Sequence, residues 1–165
     1  MKKLFLFLLC CCLFITVNAQ SKEKYDAGFI RTAIMDGLME VQLGRMAQTN
    51  GASQQIKDYG RMVVNDHSRT NAELSSLAKR KDVNIPEEVG SNLKSEMDKL
   101  SSLRGDQFDR AFINTMVENH LREINLYKAE TYKGEDPDVR NWAAHKNPVL
   151  QKHLEWANRI KKALK

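Results

Sequence analysis

Apolar residues in this chain recur three and four positions apart, and no stretch sustains the alternation of a strand, so the pattern predicts helices. Four main helices are readable. The first spans about Tyr25 to Thr49 and stops at Asn50-Gly51, a pair that ends helices. Ser53 is placed to cap the second, which continues to about Lys81. A linker holding Pro86 leads into a shorter helix from about Glu87 to Leu103. Gly105-Asp106 restarts the chain, and the third main helix reaches about Lys133 before Gly134. Asp136-Pro137 opens the fourth, with proline at the first helical position, where its missing N–H costs nothing. Pro148 is expected to kink that helix, or to break it with Asn147 capping the second piece.

The lengths of the connections suggest how these helices assemble. At ~1.5 Å per residue the second helix is on the order of 40 Å long, and the segment from Asp82 to Arg104 can cover roughly that distance. Two helical hairpins joined by a long traverse is a ferritin-like arrangement, whereas a simple up-down-up-down order would need no such connection. The expected fold class is therefore all-α: a ferritin-like four-helix bundle with a long helical crossover between helices 2 and 3.

Before the first helix the pattern changes. Lys2 and Lys3 precede an almost unbroken apolar run from Leu4 to Val17, and Val17-Asn18-Ala19 gives small residues ahead of a cleavage site. Residues 1–19 are read as a signal peptide cut after Ala19, and residues 20–165 as one helical domain. The run is short for a transmembrane helix, so no stable membrane span is expected after cleavage. Cys10, Cys11 and Cys12 all fall in the removed segment and lack the small residue that a lipobox cysteine needs before it. The mature chain then has no disulfide and no thiolate ligand, and about 145 residues must be held by an ordinary apolar core. The full chain carries +5, and removal of Lys2 and Lys3 leaves +3, spread among both signs rather than in a basic tract. No nucleic-acid partner is expected.

Turned at about 100° per residue, each helix shows an apolar stripe. In the first it is Phe29, Ile30, Ala33, Ile34, Gly37, Leu38, Val41 and Gly44, with Glu40 on its edge among small residues. In the second it is Ile56, Tyr59, Val63, Thr70, Leu74 and Leu77, with His67 at the centre. The third stripe, Phe112, Ile113, Met116, Ile124 and Tyr127, centres on His120 and carries Asp109 on the same line. The fourth, Val149, Leu150, Ala157, Ile160 and Leu164, centres on His153, with His145 to one side. In the crossover topology His67, His120 and His153 lie ~24, ~22 and ~27 Å from their hairpin turns, near mid-height, while Glu40 lies ~16 Å from its turn.

Buried imidazoles need hydrogen-bond partners, water or a metal. His67, His120 and His153, with Glu40 as a ligand or supporting acceptor, are the candidate metal site, for Zn, Fe, Mn or Cu. A di-iron centre of the Glu-x-x-His type is not expected, because Val64, Val117 and Leu150 stand three residues before the histidines. Glu123, three after His120, reads as marginal to the inward face. Asp66 points about a quarter-turn from His67 and does not orient that ring. No nucleophile-base pair and no phosphate-binding glycine loop is present, so an enzyme is the less favoured class. The alternative is a non-enzymatic envelope structural or interaction protein whose buried polar network only sets helix register. A homo-oligomer or an envelope partner stays open.

Gly37-Leu38-Met39-Glu40-Val41-Gln42-Leu43-Gly44, Met62-Val63-Val64-Asn65-Asp66-His67, Gly105 to Phe112, Asn119-His120 and Pro148 to Leu154 together resemble the domain of unknown function 4142 family. The likeness covers about Tyr25 to Ile160, with Asn147 where the family usually has Leu before the proline. It implies a ferritin-like bundle, usually exported in bacteria and so periplasmic here, and often carrying an outer-membrane label. It brings no established activity. Its recurring Glu and three His fall on Glu40, His67, His120 and His153.

Overall fold

The computed structural model describes the backbone of residues 2–85 and 91–164, and the side chains of residues 25–85 and 93–164. Five helices follow one another: α1 (Lys2–Asn50), α2 (Gln54–Arg80), α3 (Ser91–Ser101), α4 (Gly105–Lys133) and α5 (Pro137–Ala163). Among the described residues there is no strand, so the protein is all-α. Residues 1–19, expected to be a signal peptide, lie outside the residues whose side chains are described, as does the Pro86 linker. Among the described residues, no helix is long and apolar enough to cross a membrane.

The ends of the helices follow the local chemistry. Ser53 caps α2 by accepting the backbone N–H of Ile56, and Asp136 caps α5 by accepting those of Asp138 and Val139, ahead of Pro137. Tight turns make α1 and α2 one hairpin and α4 and α5 another; α1 also packs on α4, and α2 on α5. The short α3 lies against α1 and α4. The α1 and α2 backbones come close where Gly44 meets Gly60, since a Cβ on Gly60 would lie 2.6 Å from the Gly44 carbonyl oxygen.

Each hairpin turn is held by a carboxylate from the other hairpin. Asp109 of α4, buried, accepts the N–H groups of Ala52 and Ser53 at 2.9 and 2.8 Å. Asp26 of α1 accepts those of Glu135 and Asp136 at 3.0 and 2.8 Å. These bonds satisfy turn donors that would otherwise be orphaned beside a helix start.

Pro148 corrects the expectation of a break. α5 runs through it from Pro137 to Ala163, and Asn147 does not cap a second piece. Pro148 and Ala144 are both exposed, so water can serve the Ala144 carbonyl that loses its N–H partner.

The core is in two apolar layers. One gathers Leu43, Ile56, Tyr59, Phe108, Phe112 and Ile160; the other gathers Phe29, Ile30, Leu74, Leu77, Tyr127 and Leu150. Between the two layers lie buried polar residues, among them one histidine on each of α2, α4 and α5: His67, His120 and His153.

Candidate metal centre

Three imidazoles form a near-equilateral set, with ring centroids 5.7 Å (His67 to His120), 5.5 Å (His67 to His153) and 5.3 Å (His120 to His153) apart. None is more than 5% exposed, and Glu40 is 0% exposed beside them. The wheel positions therefore do bring His67, His120, His153 and Glu40 to one interior place. Glu40 bridges its α1 position to that level because Cβ atoms tilt toward the helix N-terminus. On α1 that direction leads away from the turn and on α2 toward it, so Glu40 and His67 lean together.

The hydrogen bonds set the tautomers. His120 Nδ1 lies 2.8 Å from the Met116 carbonyl oxygen, one helical turn back. His153 Nε2 lies 3.0 Å from Asp66 Oδ2 on α2. Both partners are acceptors, so each of those nitrogens carries the proton and the opposite nitrogen carries a lone pair. The opposite nitrogens, His120 Nε2 and His153 Nδ1, face each other 3.3 Å apart. Two lone pairs in that position repel unless a proton or a metal ion lies between them.

The fourth side chain is under-satisfied. Glu40 Oε2 lies 2.9 Å from His67 Nε2 and Oε1 lies 3.5 Å from His120 Nδ1, both ion-pair distances. Neither carboxylate oxygen, nor His67 Nε2, has a partner aligned for a hydrogen bond. At 2.9 Å the Glu40–His67 pair is within hydrogen-bond distance but off the preferred direction, so the three covered atoms are met by ionic contacts of poor alignment.

Charge is arranged unevenly. Burial pushes the Glu40 carboxyl up, but the imidazoles of His120 and His67 outweigh it and hold the group down to about 2. Burial pulls His67 down, yet the Glu40 carboxylate beside it raises it overall. Burial lowers His120, and burial with the neighbouring His67 and His120 lowers His153 to about 4. Burial, then Glu40 and Asp36, push Glu123 well above the usual carboxylate range. A proton is thus disfavoured between His120 and His153.

Two residues matter more than their sequence positions indicated. Asp66 does not orient His67, as expected, but it orients His153 across the helix pair. Glu123, read as marginal, is 2% exposed and its Oε2 has no hydrogen-bond partner. His67, His120 and His153 offer donor atoms within 4.8 Å of one another, and so do Glu40, His67, His120 and Glu123. Glu40 and His153 each share a group with His67 and His120, in two different groups. A signal for Glu123 was present in the chain. One and the same spacing separates Asp26 from Asp109, Phe29 from Phe112, Ile30 from Ile113, Glu40 from Glu123 and Gly51 from Gly134. α1 and α4 are thus matched copies, and Glu123 stands where Glu40 stands. His145, by contrast, is exposed.

A model of the domain of unknown function DUF4142 matches residues 16–160, nearly the whole chain. The chain belongs to the DUF4142 family. No curated protein matches this DUF4142 chain. Its fold is similar to the crystal structure of a Streptomyces coelicolor protein described as a candidate secreted protein, DUF305, with a TM-score of 0.74. That likeness covers 85% of the DUF4142 chain and 92% of the other at 12% identity, so it speaks for the fold alone.

Proposed function

We propose that this DUF4142 protein is an exported, periplasmic metal-binding protein. On this reading residues 1–19 are removed and residues 20–165 form a ferritin-like four-helix bundle, with α3 as the crossover between its hairpins. The bundle holds a transition-metal ion at His67, His120 and His153, with Glu40 as ligand or charge partner. The observation that carries the reading is the pair of lone pairs on His120 Nε2 and His153 Nδ1, 3.3 Å apart, each locked by an acceptor on the far side of its ring. A regular tetrahedron of ~2.0 Å metal–nitrogen bonds has an edge of ~3.3 Å, so the two nitrogens already stand at ligand spacing. The Asp66–His153 and Met116–His120 contacts are of the kind that orients metal-binding histidines. The metal would supply Lewis-acid or redox chemistry according to its identity; the chain's own part is to hold the donors dry and oriented.

A network that only sets helix register would align its own members, and the poorly aligned contacts of the Glu40 oxygens weigh against it. Native mass spectrometry of untagged protein from the periplasm of its own host reads both the cut and the metal. The expected species lacks residues 1–19 and carries a transition metal, and a stripped sample should gain thermal stability when the metal is returned. A metal-free protein whose melting point is unmoved by Zn²⁺, Mn²⁺, Fe²⁺ or Cu²⁺ would overturn the reading.

A further inference from the structure

Resting on that metal-binding reading, the geometry points to two alternative seats for one ion, both using His67 and His120. We propose that His153 completes a nitrogen seat and that Glu40 and Glu123 complete an oxygen-rich seat, the metal's own ligand preference choosing between them.

Three observations carry this. The first is the grouping of donors: Glu123 falls within range of Glu40, His67 and His120, and His153 falls within range of His67 and His120, in separate groups. The second is spacing. His120 Nε2 and His153 Nδ1, at 3.3 Å, match the tetrahedral edge that Zn²⁺ takes with nitrogen. His67 Nε2 and Glu40 Oε2 are closer, at 2.9 Å. An octahedron of ~2.1 Å bonds has a cis edge of ~3.0 Å, the geometry that harder ions such as Mn²⁺ prefer with oxygen-rich ligands. The third is unmet demand. Both oxygens of Glu40 and one of Glu123 are covered and lack well-aligned hydrogen-bond partners, the two carboxyls facing each other, and a cation between them would answer both at once.

The matched helices explain how the acids meet. Glu40 and Glu123 hold equivalent positions on α1 and α4, which pack against each other, so the two halves contribute one carboxylate each. The sharing of imidazoles explains why occupancy is exclusive. His120 Nδ1 already donates to Met116, which leaves that ring one lone pair, enough for one ion.

The test uses processed, untagged wild-type protein stripped with chelator. Bound Mn²⁺ is followed by electron paramagnetic resonance while Zn²⁺ is added. One Zn²⁺ should release one Mn²⁺. Glu123→Gln, nearly isosteric, should weaken Mn²⁺ by about 10- to 100-fold and Zn²⁺ by less than about threefold, and His153→Ala should do the reverse. Mn²⁺ that stays bound while Zn²⁺ binds overturns the shared seat, and so do variants that weaken both metals alike. Thermal melts report whether each variant folds; if His153→Ala does not, the wild-type displacement still decides. Wild-type protein that takes Zn²⁺ and refuses Mn²⁺ removes the oxygen-rich seat and leaves the histidine reading standing. Protein that takes neither ion removes both.

Discussion

The two hairpins are built to one plan in their first helices and to different plans in their second. α1 and α4 share a clamp aspartate (Asp26, Asp109), a core acid (Glu40, Glu123) and a terminal glycine (Gly51, Gly134) at matched positions, and the N-caps Ser53 and Asp136 follow in step. α2 and α5 do not keep step. The position of His67 corresponds to Leu150, and that of His153 corresponds to Thr70. The shared elements are those that hold the turns and place carboxylates on the axis between halves. The imidazoles are where the halves differ, which is why the centre has an acid side drawn equally from both hairpins and a nitrogen side that is lopsided.

The clamps offer the hardest test of that plan. Asp109→Ala removes two charge-assisted hydrogen bonds and leaves two turn N–H groups beside the core, and should cost about 3–4 kcal/mol in chemical denaturation. Asp26→Ala should cost at least as much. It breaks the same kind of bonds and also removes the acceptor that the protonated Glu130 carboxyl faces, whereas the equivalent of Glu130 near the other clamp is Ala47. A clearly smaller cost than that of Asp109→Ala would mean that the contact with Glu130 contributes nothing.

How much of this was legible follows from where each signal resides. Helix ends were readable because they depend on local chemistry: Ser53, Asp136-Pro137, Gly51 and Gly134 stand next to the groups they affect. The three core histidines were readable because helical periodicity fixes a face. Glu123 was not, since a wheel treats a residue at the edge of a stripe as half outside, and only the packing of α1 on α4 covers that edge. Asp66 was judged against the neighbour on its own helix, while its partner is on α5. Pro148 was read as a kink or a break, and the break did not occur because Ala144 faces water, which a sequence does not state.

Closeness of approach also separates the halves. Gly60 of α2 lies against the Gly44 backbone, and the matched positions in the second hairpin are Ala143 and Tyr127 rather than glycines. Gly60→Ala should therefore destabilise by about 2 kcal/mol, because backbone and not a flexible side chain must give way. Ala143→Gly should cost only about 1 kcal/mol, the ordinary penalty of glycine inside a helix. Melting points of the two variants decide the matter, and a neutral Gly60→Ala would show that α1 and α2 can separate freely.

The smallest effect belongs to Glu130 and concerns pH. Its carboxyl is covered, and burial first, then the Asp26 carboxylate, raise it from 4.5 to about 8. Between those values the folded chain holds a proton that the unfolded chain has released. The associated stability is therefore complete below pH ~4.5, declines as pH rises, and is lost once pH passes about 8. Taken in full the shift corresponds to ~5 kcal/mol, an upper bound because the surroundings relax when the group ionises, and about 2 kcal/mol is expected. Glu130→Gln has no proton to lose and can still donate to Asp26. Its melting point, compared with wild type from pH 5 to 9, should match at the acid end and stay higher by about 4–8 °C at the alkaline end. Two parallel curves would mean that Glu130 does not hold its proton in the folded chain.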